Sequence, residues 1–158
     1  MNSQDFSTTI LVDETPKQVF DAVNNVRAWW SGNIEGRTEK LDDEFAYQYK
    51  TVHRSRQKIV ESVPEKKVVW LVTEAELNFV DDKNEWNGTK ISFDISRKGD
   101  KTELRFTHHG LTSKFECYDA CSNAWTDYIN KSLHDLITKG KGFPNEKESG
   151  KKNNKQHA

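Results

Sequence analysis

Between residues 45 and 49 the chain alternates Phe45, Tyr47 and Tyr49 with Ala46 and Gln48, an aromatic face backed by a mostly polar one. A period of two is the mark of a half-buried strand. The pattern returns where Ile91, Phe93 and Ile95 alternate with Lys90, Ser92, Asp94 and Ser96. It appears again, after a turn at Lys98-Gly99-Asp100-Lys101, with Leu104 and Phe106 on one face. Upstream, the β-branched run from Phe6 to Val12 predicts a first strand. Residues 57–63 and 67–73 predict two more across a turn at Pro64-Glu65, and residues 77–80 extend or add a strand before a polar loop at 81–87. Short strands joined by tight turns predict an antiparallel meander.

Helical spacing brackets this middle. Thr15 can cap, Pro16 suits a first helical position and Gln18 can reach back in a capping box, ahead of Val19, Phe20 and Val23. That helix ends near Asn24-Asn25, and residues 27–30 read as a second short turn stopped at Gly32. At the other end, Ser113 and Glu116 have capping-box spacing. Cys121, Trp125, Tyr128/Ile129, Ser132/Leu133 and Leu136 then share a face as far as Gly140. A helix of about 24 residues is about 36 Å long, enough to cross a sheet. The predicted class is α+β: a curved antiparallel sheet of six to seven strands around a long C-terminal helix, with two short helices after the first strand.

Only 34% of the 158 residues are apolar, yet five Trp, eight Phe and four Tyr supply bulk for a core. Each well-buried aromatic contributes roughly 2–3 kcal/mol. The net charge of −1 hides an asymmetry: six lysines against two glutamates from residue 139 onward leave +4 there and −5 elsewhere. The expected organisation is one domain over residues 1–144 and a disordered basic tail over 145–158, because that tail has too little apolar surface to fold. Two cysteines four residues apart do not make a disulfide framework, and the N-terminus has no secretory pattern, so a reducing, cytoplasmic setting is expected. No apolar run approaches the ~20 residues of a membrane span.

Several further segments occur in a fixed order: Pro16…Val19-Phe20, Trp29-Trp30, Ile59-Val60-Glu61…Val63-Pro64, and Val68-Val69-Trp70. After them come Gly88-Thr89…Ile91…Phe93, Thr107-His108-His109-Gly110-Leu111, and Glu116-Cys117-Tyr118…Cys121…Ala124-Trp125…Tyr128-Ile129…Ser132-Leu133, closing on Gly140-Lys141-Gly142-Phe143-Pro144. Over about residues 5–144 this series resembles the START-like (SRPBCC) helix-grip superfamily, and within it the family related to the C-terminal domain of activators of the 90-kDa heat-shock protein ATPase. The resemblance implies a helix-grip fold with a cavity between sheet and helix. Superfamily members bind lipids, hormones, polyketides or other hydrophobic molecules there, and a few are cyclases or hydratases. Chaperone activators normally carry a further N-terminal domain, so on this length the resemblance favours ligand binding over a co-chaperone role.

The expected ligand wall is Trp30, Phe45, Tyr47, Tyr49, Trp70, Phe93, Phe106, His108, Trp125 and Ile129; in such a fold, core and cavity wall are largely the same side chains. Strand alternation turns His108 inward and His109 outward. An inward His108 can hydrogen-bond a ligand or act as a base, or stand as a buried neutral histidine. Glu61 shares a face with Ile59 and Val63 if that strand alternates cleanly, which would make it a cavity carboxylate; the plainer reading is a rim position near Arg54 or Arg56. Cys117 and Cys121 share a helical face, but a C-x₃-C spacing without a second pair suits packing better than zinc. Trp29 and Trp86 join the aromatic core. Nucleophile-elbow, P-loop, Rossmann and zincin motifs are missing. The expectation is a binding domain for a small hydrophobic or amphipathic molecule, without metal, cofactor, nucleic acid or membrane insertion. It acts as a monomer or weak homodimer. The alternatives are a cyclase or hydratase working through His108 with Glu61 or a Tyr hydroxyl, and a module in weak contact with a chaperone.

Overall fold

The computed structural model describes residues 5–144. The basic tail expected over 145–158 lies outside the described residues. Strand β1 (Phe6–Val12) leads into α1 (Pro16–Asn24) and α2 (Val26–Trp29). Strands β2 (Ile34–Gly36), β3 (Glu44–Tyr49), β4 (His53–Val63), β5 (Lys67–Leu77), β6 (Lys90–Lys98) and β7 (Lys101–His109) follow. One unbroken helix follows, built from α3 (Tyr118–Asp127), a π-helical stretch at Tyr128–Leu133, and α4 (His134–Lys139).

Both arms of the Thr15 capping box form: the Gln18 N–H donates to the Thr15 hydroxyl, and the Thr15 N–H donates to the Gln18 amide oxygen at 3.0 Å. Helix α1 thus starts where the sequence says it should, and it buries Val19, Ala22 and Val23.

The seven strands form one antiparallel sheet in the order β1-β7-β6-β5-β4-β3-β2. Directly paired residues share a face, so register alone lays out the concave floor. Phe6, His108, Ile91, Trp70 and Ile59 form a row across β1, β7, β6, β5 and β4. The terminal helix lies over that floor. This is the predicted helix-grip class, with seven strands and two short helices after the first.

Four local features differ from the sequence reading. Strand β2 was not predicted; it is three residues long and pairs with β3 through Gly36, whose backbone takes φ +111°. Strand β4 begins at His53, not at 57, and β5 runs unbroken to Leu77. Register shifts interrupt β4 between Arg56 and Gln57 and between Ile59 and Glu61, and such bulges bend a strand. Finally, the long helix starts at Tyr118, with Cys117 at its cap and no side-chain cap bond, so the proposed Ser113/Glu116 box does not form.

The helix meets the sheet through Cys121, Trp125, Ile129, Leu133 and Ile137, each buried and each four residues after the last. A regular α-helix turns ~100° per residue, so a four-residue spacing drifts ~40° each time. The wider π turn, where hydrogen bonds close i to i+5, drifts the other way and brings Leu133 and Ile137 back over the sheet. That is why Ile137 is buried in the core, with the expected Leu136 half-buried against it. Ser132 fastens the same turn: its hydroxyl donates to the Trp29 carbonyl and accepts from the Phe143 N–H, both at 2.7 Å.

Candidate functional site

The inward side chains of β4 run His53, Ser55, Gln57, Ile59, judged by their partners Tyr49, Tyr47, Phe45 and Trp70. Three polar groups therefore lie along the floor of an otherwise aromatic interior. The Gln57 amide donates to the Ser55 hydroxyl, while its oxygen is buried without a hydrogen-bond partner. The His53 Nε2 is likewise closed from solvent and unpartnered, with the rings of Trp86 and Tyr47 packed edge-to-face against the imidazole at 4.6 and 4.9 Å.

Above the His53 end of this row the sheet and helix separate and leave a half-open cavity of about 170 Å³, its mouth bordered by the exposed Phe79, Ala120 and Ala124. Its wall is Trp30, Tyr47, Tyr49, Val52 and His53 from α2's end and the β3–β4 hairpin, Phe79 and Trp86 from the loop at 78–88, and Ala120, Cys121, Ala124, Trp125 and Tyr128 from the helix. None of these twelve carries a charged side chain at neutral pH, and eight bear rings. Trp30 stacks on Tyr47 with centroids 4.3 Å apart, and Trp86 lies nearly parallel to Trp125 at 5.9 Å.

The loop at 78–88 is pinned from both sides. Asn84 and Asn87 bond the carbonyl and N–H of Ala75, as a neighbouring strand would. The Glu85 carboxylate accepts from the Glu116 and Cys117 N–H groups, and Glu116 accepts in return from the Asp82 N–H at 2.6 Å. Glu85 thereby holds the N–H groups of Cys117, the residue at the helix cap, and of Glu116 just before it. The pinned loop inserts Trp86 into the interior, where it is 2% exposed, and holds Phe79 at the cavity mouth.

Of the ten expected wall residues, Trp30, Tyr47, Tyr49 and Trp125 line this cavity. Phe45, Trp70, Phe93, Phe106 and Ile129 are fully buried in the core beneath it. Trp70 fills that space with Trp29, Trp30, Phe45 and Phe93 packed around its ring.

His108 faces inward and His109 outward, in line with strand alternation. The indole N–H of Trp125 donates to the His108 Nδ1 at 3.1 Å. That makes Nδ1 the bare nitrogen, so Nε2 carries the proton and donates to the Thr89 hydroxyl at 2.9 Å. The Thr89 hydroxyl passes its own proton to the Trp86 carbonyl at 2.7 Å. Burial, reinforced by repulsion from His109 and His53, lowers the His108 pKa to about 3. With both nitrogens engaged and the ring neutral, His108 joins helix, sheet and loop.

Glu61 is exposed, because the shift after Ile59 breaks the alternation that would have turned it inward. Cys117 and Cys121 are buried free thiols. Cys121 is held far above the ordinary thiol range, first by its hydrogen bond with Cys117 and then by burial. Among the described residues no three His, Cys, Asp or Glu side chains gather in a group that could hold a metal, and no helix is long and apolar enough to cross a membrane. A larger depression of about 440 Å³ is bordered by Arg54, Arg56, Glu74, Glu76 and Lys83. Its Arg54–Glu76 pair is closed at 2.7 Å with both side chains solvated, the behaviour of ordinary surface.

Sequence reasoning missed His53, Val52, Phe79, Ala120 and Ala124 as wall residues, and it counted Trp86, Cys121 and Tyr128 only as packing. The alternation His53-x-Ser55-x-Gln57-x-Ile59 was the available signal for His53.

Residues 13–138 match the family model described as activator of Hsp90 ATPase homolog 1-like protein. The chain belongs to this family. Among solved structures, the Aha1 dimer from Colwellia psychrerythraea has the same fold at TM-score 0.70 and 22% identity, covering 88% of this chain and 99% of that one. Protein SSP2350 from Staphylococcus saprophyticus aligns at 0.65 and 13% identity over 90% and 97% of the two chains. CalU16 from Micromonospora echinospora aligns at 0.60 and 11% identity over 87% and 77%. No curated protein matches the sequence.

Proposed function

We propose that this Hsp90-activator-like domain binds a small hydrophobic or amphipathic molecule in the cavity between its sheet and its terminal helix. The observation that carries the reading is the uncharged, ring-lined cavity of about 170 Å³. It has the composition expected of a ligand site, mostly apolar with a few polar groups at fixed places. Membership in a helix-grip family supports it further. A catalytic role through His108 and Glu61 finds less support, since one is engaged at both nitrogens and the other is exposed.

The test is an amide-shift titration of the labelled protein with fatty acids, sterols, flavonoids and polyketide-like aromatics. Saturable shifts centred on Val52, Ala120 and Ala124 are expected from at least one class. A panel that leaves these amides unmoved would overturn the reading. On the likeness to the Colwellia dimer, a weak homodimer is proposed as well; sedimentation velocity that stays monomeric at millimolar concentration would remove it.

A further inference from the structure

The cavity is more selective than a general hydrophobic site. An apolar cavity of roughly 150 Å³ takes a benzene-sized guest, whereas drug-sized ligands occupy about 300–1,000 Å³. At about 170 Å³ this half-open cavity takes in one ring or two fused rings, and most of a sterol or a long acyl chain would stay outside it.

Charge narrows the choice further. None of the wall residues carries a formal charge at neutral pH, and desolvation holds the His53 pKa at about 3. Lys50 lies over the Tyr49 ring at 5.5 Å but outside the wall; an anionic group held inside would lose its hydration without pairing directly, a penalty that a neutral guest avoids.

The shape of the wall favours a flat guest. Trp30, Tyr47, Trp86 and Trp125 present ring faces and edges, against which another aromatic ring packs with offset or edge-to-face geometry. One directional contact is also on offer. His53 Nε2 lacks a hydrogen-bond partner within the protein and is closed to water; a ligand hydroxyl reaches it once the rings packed on the imidazole shift, and a buried polar atom left unpaired costs stability that such a group recovers. Either tautomer of a neutral imidazole is satisfied by a hydroxyl, which both donates and accepts.

We infer that the occupant is a neutral phenol or naphthol: one or two planar rings carrying a hydroxyl that pairs with His53 Nε2. This rests on the ligand-binding reading above and specifies its chemistry.

The test compares four probes on the full-length protein at pH 7.5, read by amide shifts and tryptophan fluorescence: 2-naphthol, naphthalene, 2-naphthoate and palmitate. Saturable binding of 2-naphthol is expected, roughly tenfold or more tighter than 2-naphthoate and several-fold tighter than naphthalene. His53→Phe should bring 2-naphthol down to the level at which naphthalene binds the same variant. Ala124→Phe, at an exposed helix position on the cavity wall, should block every probe without unfolding the domain. If palmitate or 2-naphthoate binds as tightly as 2-naphthol, the inference fails while the general ligand-binding reading stands. If His53→Phe leaves the preference for 2-naphthol intact, the assignment of the hydroxyl partner fails. Silence from all four probes overturns the inference, and the broader panel above then decides the general reading separately.

Discussion

The indole nitrogen of Trp125 lies 3.1 Å from the Nδ1 of His108, so the first half of the terminal helix is hydrogen-bonded to the inner face of β7, one strand in from the sheet's edge. Both residues are buried. Neither group can turn to water when the other is lost, and the contact therefore fixes both the tautomer of the histidine and the height of the helix above the floor. Replacing Trp125 by Phe keeps a ring in place but strands the Nδ1. The expected loss is about 1–3 kcal/mol, measured by urea denaturation. A double-mutant cycle with His108→Gln should return a coupling on the order of 1 kcal/mol; additive effects would show that the bond contributes nothing.

Acid should destabilise the domain through the same histidine. Folded His108 titrates near 3 and its unfolded counterpart near 6.5. Within that window the unfolded chain carries the extra proton, so this contribution is intact above about pH 6.5 and shrinks as the pH falls toward 3. The slope is about 1.4 kcal/mol per pH unit for one histidine. His53, also lowered to about 3 by desolvation, adds a contribution of the same sign. Denaturation midpoints between pH 7.5 and 4.5 check this, and His108→Gln should flatten the curve. A wild-type curve already flat in that range would rule the mechanism out.

Glu85 holds the cavity wall in place without touching the cavity. Its carboxylate accepts from two N–H groups at the start of the terminal helix, a segment more than 30 residues further along the chain. Glu85→Gln keeps one acceptor and Glu85→Ala keeps none. Hydrogen exchange of residues 82–88 should rise modestly in the first and strongly in the second, with stability lower by about 1–2 kcal/mol for the alanine. Unchanged protection in Glu85→Ala would mean that Asn84 and Asn87 suffice to hold the loop.

The π turn makes a prediction about chain length. It accommodates one residue more than an α-helix over the same span, so deleting exposed Lys131 should convert the turn to α-helix with Ile129 and Ile137 still facing the sheet. A modest loss of about 1–2 kcal/mol is expected. Deleting Asn123 within α3 instead rotates everything after it by ~100° and should abolish cooperative unfolding. Equal damage from the two deletions, seen by circular dichroism melting, would contradict this account.

The features that the chain displayed openly are those set by near neighbours. Thr15 and Gln18 meet within one turn, and Ile91, Phe93, Leu104 and Phe106 obey simple alternation in strands without a bulge. The features it concealed depend on distant partners or on broken periodicity. The start of the helix is held by Glu85, which no local motif at Ser113 could reveal. Glu61 turned outward because β4 shifts register after Ile59, and Ile137 joined the expected Leu136 against the core because the π turn changes the helical period. Trp86 was expected in the core, but the polar stretch around it hid its route there, which the two asparagines gripping Ala75 provide. The cavity fell in the same blind spot: four of its expected wall residues were legible as inward aromatics, but His53 sat upstream of where the strand was thought to begin.

The sheet order has one further consequence. Strand β1 pairs only with β7, joining Phe6 to His108 across about a hundred residues of chain. During synthesis the first strand therefore emerges without a partner and waits until nearly the whole domain has been made. Loop-closure entropy for that pairing is met late, so folding should be slow for a chain of this length. Meanwhile Ile10 and Val12, buried in the finished fold, stay exposed on an unpaired edge, where association with other nascent chains competes with docking.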